Sequence, residues 1–344
     1  MGRSDVAASR LLRRAARTGR TGIVLGVLGV GLLGYLAAGP VFFLESFQRT
    51  LGVVFMFATL ALAWDIIGGW TGYPSFGNVV FFGLGGYTVA VLMAKAGWSF
   101  WPALPIAAAI GTVFAILIGL PILRLRGHYF AIATLGVAEG TREVVLNWPS
   151  LTGGGAGITI PAVGAEATTS YPGNTGFYYL FLVLMAISLF VLWRVSRSKF
   201  GYALRAINQD EDAAAAMGID TTRSKIAAFA LSGLLTACAG AIYAFQQVTI
   251  YPHRLFSVDI TVLMVVMAVI GGSGTVIGPF LGAVGLQFLS EYLRENFLDW
   301  NLFIFGAIIV LAVVLLPQGA VSFTRDAWRT RRVALLDNIR RYRL

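Results

Sequence analysis

The chain has 344 residues, of which 57% are hydrophobic and only 12% charged, and its formal net charge is +10. A soluble domain has about 25% charged residues, so this composition indicates a polytopic membrane protein. The single cysteine, Cys238, excludes a disulfide framework within the chain, and two histidines far apart in the sequence argue against a metal site.

Arginine and lysine are concentrated in three segments. Residues 1–21 carry six arginines and one acid, residues 317–344 seven arginines and two acids, and residues 194–225 six basic residues and four acids. Residues 147–176 contain no basic residue. This is the positive-inside pattern of membrane proteins, and it disfavours a basic groove for nucleic acid. Both terminal segments and a loop at about 195–224 are therefore predicted to be cytoplasmic.

Ten apolar segments approach the roughly 20 residues that cross a bilayer. They predict an all-α polytopic fold with about 8–10 transmembrane helices and Gly-rich helix breaks, in a transmembrane domain at 22–316 flanked by basic tails at 1–21 and 317–344. If all ten cross, the three basic segments fall on one side of the membrane. The short segments 258–271 and 276–290 are either two tilted spans or one hairpin. The ten segments cover residues 22–44, 48–67, 76–94, 102–122, 127–146, 177–194, 225–247, 258–271, 276–290 and 301–316.

Two glycine-rich breaks interrupt the apolar segments at corresponding places in the two halves of the chain. The first covers residues 68–77 and the second residues 271–275. We interpret them as a weak internal repeat, because interrupted hydrophobic segments at matching positions mark the substrate path of transporters. Close helix packing through small residues is the rival explanation. The residues predicted to lie near a path are Ser75, Gly77, Asn78, Thr134, Gly272 and Ser273.

Few ionisable residues lie inside the apolar segments, where each needs a partner or a water-filled cavity. Asp65 and Asp259 fall near segment ends, where solvation is a sufficient explanation. Glu139, Arg142 and Glu143 share one helix face by their spacing. Glu139 is the deepest of them and is a candidate for the path, while a structural ion pair with Arg142 is an equal alternative.

The longest polar interruption is Gly201–Gly218, with the sequence GYALRAINQDEDAAAAMG. Its acids precede an alanine run that favours helix, and Gly218 is suited to end that helix. We predict a short helix held at the membrane surface as a docking element, with an ordinary solvated loop helix as the alternative. The residues predicted to form the docking element are Gly201, Leu204, Arg205, Asp210, Glu211, Asp212, Ala213, Ala214 and Gly218.

The spacing of Asp212, Ala213, Ala214 and Gly218 resembles the Glu-Ala-Ala-x-x-x-Gly loop of ABC importer permeases, with aspartate in place of glutamate. A wider set of stretches is similar to the branched-chain amino acid permeases of the LivM type. His128 departs from the polar or acidic residue of many members, which leaves the substrate preference open. The similar stretches are 73–87, 124–136, 151–158, 201–219 and 271–282.

The resemblance implies a permease subunit of an ATP-driven importer that translocates branched-chain amino acids, or a related small amide or zwitterion, by alternating access. It implies that residues 201–218 are the coupling helix seated on an ATP-binding subunit. The implied partners are a second homologous permease, two ATP-binding subunits, a periplasmic or lipid-anchored substrate-binding protein and membrane lipid. The implied location is a bacterial inner membrane, with both termini cytoplasmic.

Motifs of catalysis are absent from the sequence. It contains no G-x-x-x-x-G-K-[ST] phosphate loop, no H-E-x-x-H and no G-x-S-x-G. We therefore expect no catalytic residue, cofactor or metal in this chain, with ATP and Mg²⁺ on partner subunits. An ion-coupled secondary transporter is the alternative, which predicts paired carboxylates in mid-membrane and needs no docking loop. A membrane enzyme is a third hypothesis, and only Glu139 favours it.

Overall fold

The computed structural model describes residues 34–36, 38–161, 171–297, 300–315 and 319–321. Helices make up most of this part of the chain. Both predicted basic tails lie outside the described residues, apart from 319–321. The elements are α1 (Glu45–Thr71), α2 (Val79–Ala96), α3 (Phe100–Ile122), α4 (His128–Leu146), α5 (Pro149–Thr152), β1 (Ile158–Thr159), α6 (Gly173–Ser196), α7 (Lys199–Gln209), α8 (Glu211–Ala216), α9 (Thr221–Gln247), β2 (Thr249–Ile250), α10 (Pro252–Leu255), α11 (Val258–Gly271), α12 (Gly278–Asn296) and α13 (Asn301–Leu315).

The chain divides into two units, residues 1–48 and residues 49–344. In the described part of the first unit, a 3₁₀ turn at Gly39–Val41 precedes α1. The Gln48 side chain donates to the Phe43 carbonyl at 2.9 Å. All site residues predicted from the sequence belong to the second unit.

The prediction of an all-α polytopic membrane protein is confirmed. Six described helices are long and apolar enough to cross a bilayer: α1, α2, α3, α6, α9 and the stretch Pro252–Gly271, which contains α10 and α11. Helix α13 is apolar but has only 15 residues. Helices α4 and α12 have 19 residues each and contain charged residues, which lower their hydropathy. The predicted total of about 8–10 spans depends on these last three helices and on residues outside the described ranges.

Helix α9 is at the centre of the second unit, where it packs against both α2 and α3, and α2 also packs against α3. The approach of α9 to α2 is close enough that a Cβ atom on Gly240 would overlap the Phe82 carbonyl group. The rings of Phe81 and Phe229 meet edge to face at 5.1 Å between centroids. Glycine at this contact therefore allows the backbones to touch, while aromatic side chains fill the space beside it.

The second glycine break joins two helices that pack tightly against each other. Helix α11 ends at Gly271 and α12 begins at Gly278. A Cβ atom on Gly282 would overlap the carbonyl oxygen of Met267, so the two helices form an antiparallel hairpin with almost no side chain between them. In the connecting segment, Gly272 has φ 118°, which side-chain-bearing residues rarely adopt. The hairpin geometry fits both alternatives predicted for this region.

A two-residue antiparallel ribbon departs from the purely helical expectation. Ile158 in β1 pairs with Ile250 in β2. Strand β1 follows the glycine-rich loop after α4, and β2 follows α9 directly. The ribbon therefore holds the C-terminal ends of α4 and α9 at the same end of the unit, opposite the start of α9 at Thr221.

Candidate functional site

The polar segment Gly201–Gly218 contains two short helices, α7 and α8, rather than the single helix predicted. Asp210 separates them because its carboxylate accepts the backbone N–H groups of Asp212 and Ala213, both at 2.9 Å. An aspartate in this capping position stabilises a new helix start more than it stabilises the continuation of the preceding helix. Gly218 follows α8 with φ 85°, as predicted for a residue that ends a helix.

The two helices each bury one face. Leu204 and Ile207 of α7 and Ala214 of α8 are at most 3% exposed. The opposite face presents Tyr202 and Met217, which are 62% and 83% exposed. The segment is therefore amphipathic, as a docking element requires, and its outer face exposes two large apolar side chains, of which Tyr202 also receives the Arg205 guanidinium on its ring at 5.7 Å.

Helix α8 is fixed to the rest of the unit by a buried lysine. Lys225, in the first turns of α9, is 4% exposed. Its ammonium group donates to Glu211 Oε1 at 2.6 Å, to the Leu123 carbonyl at 2.9 Å and to the Tyr73 hydroxyl at 3.1 Å. All three donor positions of the ammonium group are thus used, so this buried group leaves no hydrogen-bond donor unpaired.

Tyr73 and Arg126 also bind the acids of α8, and we call the cluster of Lys225, Glu211, Asp212, Tyr73 and Arg126 the Lys225 anchor. The Tyr73 hydroxyl donates to Glu211 Oε2. Arg126, in the α3–α4 connection, lies 3.6 Å from the same oxygen and binds both carboxylate oxygens of Asp212, at 2.8 and 3.1 Å. Glu211 and Asp212 therefore join α8 to the first glycine break, to the α3–α4 connection and to α9.

The charges in this anchor stabilise one another. Partial burial alone would raise the pKa of Glu211, but the hydrogen bonds from Lys225 and Tyr73 and the charges of Lys225 and Arg126 outweigh it, so the pKa lies below its ordinary value. The Arg126 guanidinium lowers the pKa of Asp212. Both acids are therefore ionised at neutral pH, and the anchor is intact there.

Helix α7 has its own contacts with the end of α1. The Arg205 guanidinium lies over the Trp70 ring, 4.5 Å from its centroid. The Asn208 amide donates to the Gly69 carbonyl at 2.8 Å. Arg205, which we expected at an interface with a partner, is thus also held within this chain by a cation–π contact.

The sequence-based interpretation of Asp65 as a solvated residue is wrong. The residue is fully buried, and its carboxylate accepts the Trp70 indole N–H at 2.9 Å and the Gly274 backbone N–H at 2.8 Å. Sequence reasoning also missed Lys225, Tyr73 and Arg126. A lysine at the start of an apolar helix is a usable signal, but its partners are distant in sequence.

Four of the predicted path residues meet at the first glycine break. Ser75, Asn78 and Thr134 are at most 1% exposed. A Cβ atom on Gly77 would lie 2.7 Å from the Thr134 carbonyl oxygen. Asn78 donates to the Ser232 hydroxyl at 2.8 Å, while its own carbonyl oxygen is buried without a partner among the described residues. The break therefore contains a buried group of polar side chains between α2, α4 and α9.

The remaining predicted path residues lie elsewhere. Glu139 forms an ion pair with Arg142 at 2.6 Å, and Arg142 also contacts Glu143 at 3.1 Å. The structural ion pair considered from the sequence is thus present, on a face where Glu139 remains 47% exposed. Gly272 and Ser273 lie in the second break, in which the next residue, Gly274, contacts Gly69.

Comparison with known proteins identifies the family. Residues 46–313 match the family described as "Branched-chain amino acid transport system / permease component". The chain belongs to this family. The permease is 32% identical to the high-affinity branched-chain amino acid transport system permease protein LivM of Salmonella typhimurium, over 78% of this chain and 68% of that protein.

Two more permease proteins are similar to this chain. The permease is 30% identical to LivM of Escherichia coli, over 86% of this chain and 75% of that protein. It is 31% identical to the autoinducer 2 import system permease protein LsrC of Klebsiella pneumoniae, over 60% of each chain. No solved structure matches it significantly.

These findings confirm the prediction of a membrane permease subunit of an ABC importer, and nothing in them favours an ion-coupled transporter. A permease component is one part of a transport system, so the chain works with other subunits. Its apolar helices and its relatives agree with a multi-pass inner-membrane protein.

Proposed function

We propose that this permease translocates a branched-chain amino acid, or a related small amide or zwitterion, across the bacterial inner membrane. Transport proceeds by alternating access. It is powered by ATP that is bound with Mg²⁺ and hydrolysed on two partner subunits. A second, homologous permease and a periplasmic or lipid-anchored binding protein complete the assembly. The two LivM relatives support the substrate class.

The observation that carries the proposal is the arrangement of Gly201–Gly218, which we call the coupling segment. Its inner side is fixed to the membrane domain through Glu211 and Asp212, and its outer side exposes Tyr202 and Met217. Tyrosine and methionine are enriched at protein interfaces relative to the rest of a protein surface. Such a segment can receive force from a docked ATP-binding subunit and pass it to α9.

The docking surface gives a direct test. Replacing Met217 with aspartate places a charge in the proposed contact, and we expect the ATP-binding subunits to bind about tenfold more weakly or worse. Met217→Leu, which keeps the apolar surface, is the matched control. Binding is measured by titrating the ATP-binding subunits onto the permease pair in lipid nanodiscs. If both variants bind the ATP-binding subunits as tightly as the wild type does, the proposal that this surface docks them is wrong.

The proposed orientation can be tested with single cysteines in a Cys238→Ala background. Arg197 is exposed beside the coupling segment, and Ser150 is exposed near the β1–β2 end of the unit. We expect an impermeant thiol reagent to label Ser150→Cys in spheroplasts and Arg197→Cys only after membrane permeabilisation, because the basic segments remain cytoplasmic. Labelling of position 197 from outside would reverse the orientation and contradict the proposed docking side.

The substrate path is proposed to pass the two glycine breaks. The buried, unpartnered carbonyl oxygen of Asn78 supports a role at the first break, since such a group is costly unless a ligand or water satisfies it. Ser75, Gly77, Thr134, Gly272 and Ser273 belong to the same proposal through their place at the breaks. Glu139 is included because its Oε2 atom is buried without a hydrogen-bond partner among the described residues, while its Oε1 atom is paired with Arg142.

A further inference from the structure

Asp65 is a buried acid that the docking mechanism leaves unused. It lies in α1, one turn before the first glycine break, and none of the ion pairs among the described residues includes it. Its two carboxylate oxygens are both occupied by N–H donors, one from Trp70 and one from Gly274. Burying a carboxyl group in a membrane domain without a cation is costly, which raises the question of what this arrangement does.

On one side, Asp65 holds the second glycine break. Gly274 is in the turn between α11 and α12, and it is 209 residues away in sequence. The two backbones approach so closely that a Cβ atom on Gly69 would lie 2.5 Å from the Gly274 nitrogen. The two breaks recognised in the sequence as a weak repeat are therefore in direct contact, and Asp65 provides the hydrogen bond between them.

On the other side, the same cluster contacts the coupling segment. Trp70 donates its indole N–H to Asp65 and receives the Arg205 guanidinium on its ring. The neighbouring Gly69 accepts a hydrogen bond from Asn208. Both Arg205 and Asn208 belong to α7. A continuous set of contacts thus runs from α7 through Trp70 and Asp65 to the α11–α12 turn.

We infer that Asp65 is a positioning residue that transmits displacement of the coupling segment to the second glycine break. This inference rests on the proposed function, in which the coupling segment moves with the ATP-binding subunits. When α7 shifts, Arg205 and Asn208 displace the end of α1, and the hydrogen bond from Gly274 moves the α11–α12 turn with it. The Lys225 anchor is a second connection, which joins α8 to α9, to the Leu123 carbonyl after α3 and to Tyr73 in the first glycine break, and it does not include Asp65 or Trp70.

Two substitutions interrupt this connection: one removes the donor to Asp65 together with one ring of the indole, and the other changes an acceptor of Asp65 itself. Trp70→Phe keeps an aromatic ring under Arg205 but lacks the N–H group that Asp65 accepts. Asp65→Asn keeps the size of the side chain but turns one acceptor into a donor that faces an N–H group. The control is Thr59→Val, which removes a buried hydrogen bond to the Phe55 carbonyl in the same helix and leaves the Asp65 contacts intact.

The test is reconstitution of the whole transporter in vesicles, with amino-acid uptake and ATP hydrolysis measured together. We expect Trp70→Phe and Asp65→Asn to lower the amount of substrate moved per ATP by about tenfold or more, with the ATP-binding subunits still docked. The double variant should be no worse than Asp65→Asn alone, and Thr59→Val should keep the wild-type ratio. A purely structural role would lower uptake and hydrolysis in proportion to the amount of assembled complex.

The outcomes separate the two proposals. A wild-type complex without ATP-driven amino-acid uptake would overturn the proposed function. Normal wild-type uptake with an unchanged ratio of substrate to ATP in both variants would overturn the role of Asp65 alone. Independent, additive losses in the double variant would also contradict a single connection through Trp70 and Asp65.

Discussion

Replacement of Lys225 with methionine is expected to abolish ATP-driven uptake while most of the membrane domain stays folded. Methionine keeps the apolar stem of the lysine but removes the ammonium group that binds Glu211, Tyr73 and the Leu123 carbonyl. Loss of one partner of a buried ion pair costs about 3–5 kcal/mol, because the remaining charge stays buried. Arg126, 3.6 Å from Glu211, offsets part of that cost.

Loss of the Lys225 contacts is expected to release α8 without unfolding the membrane-spanning helices. Without Lys225, the helix loses its contact with α9, and force on the coupling segment no longer reaches the centre of the domain. Even about 1.4 kcal/mol of weaker anchoring lowers the anchored population relative to the free one tenfold. We therefore expect uptake to fall by more than about tenfold, and thiol labelling of Ala214→Cys, at a position buried in the anchored segment, to rise.

The matched control is Arg223→Ala, two residues away on the same helix. Arg223 pairs with Asp220, but the two side chains are 89% and 52% exposed. An exposed pair contributes little, so uptake should remain near the wild-type level. If Lys225→Met and Arg223→Ala transport equally well, the buried anchor has no part in coupling.

The pH dependence of the anchor follows from Glu211. Its pKa is lowered in the folded protein from the ordinary value of 4.5. A lowered carboxylate pKa gives a stabilisation that is complete above the ordinary value and lost as pH falls through the lower, folded value. The defect of Lys225→Met should therefore be constant between about pH 6 and pH 8, where Glu211 is fully ionised in the wild-type protein.

The sequence was sufficient to predict the class of fold and the presence of a polar helical segment at Gly201–Gly218 between apolar helices. Apolar length and the arginine distribution depend on the bilayer, which acts on each segment separately, so they can be recognised without knowing any contact. The division into α7 and α8 was harder to predict. The division depends on whether Asp210 caps a new helix or continues the preceding one. A cap of this kind contributes only about 1 kcal/mol, so the two outcomes differ little in free energy.

The contacts of Asp65 and Lys225 could not be predicted from the sequence. Asp65 was interpreted as a solvated residue because it lies close to a break, yet the break folds back and a turn 209 residues away covers it. Lys225 was counted among the basic residues that set the topology. Its burial depends on Glu211, Tyr73 and Leu123, which three different parts of the chain bring together.

The close backbone contacts at the glycines could not be predicted from the sequence either. They give the second prediction with a large expected effect, a loss of stability. Gly240→Ala should destabilise the permease more than any other single methyl addition on α9, because the new Cβ atom overlaps the Phe82 carbonyl oxygen. The obstacle is backbone on α2 and cannot rotate away, so the helices must separate. Gly85 makes the reciprocal contact, where a Cβ atom would overlap the Ala237 carbonyl oxygen.

Separation of α9 from α2 would also loosen the edge-to-face contact of Phe81 with Phe229, which lies along the same interface. Overpacking of this kind costs about 1–3 kcal/mol, and the rigid obstacle places Gly240→Ala at the upper end. We expect the midpoint of thermal unfolding in detergent to fall by roughly 4 °C. Gly285→Ala is the control, since beyond its chain neighbours and its own helix backbone no atom of the described residues lies within 4 Å of its new Cβ, and alanine favours helix. An equal midpoint for the two variants would mean that α2 and α9 can move apart without loss, and that the central packing tolerates more than these backbone contacts allow.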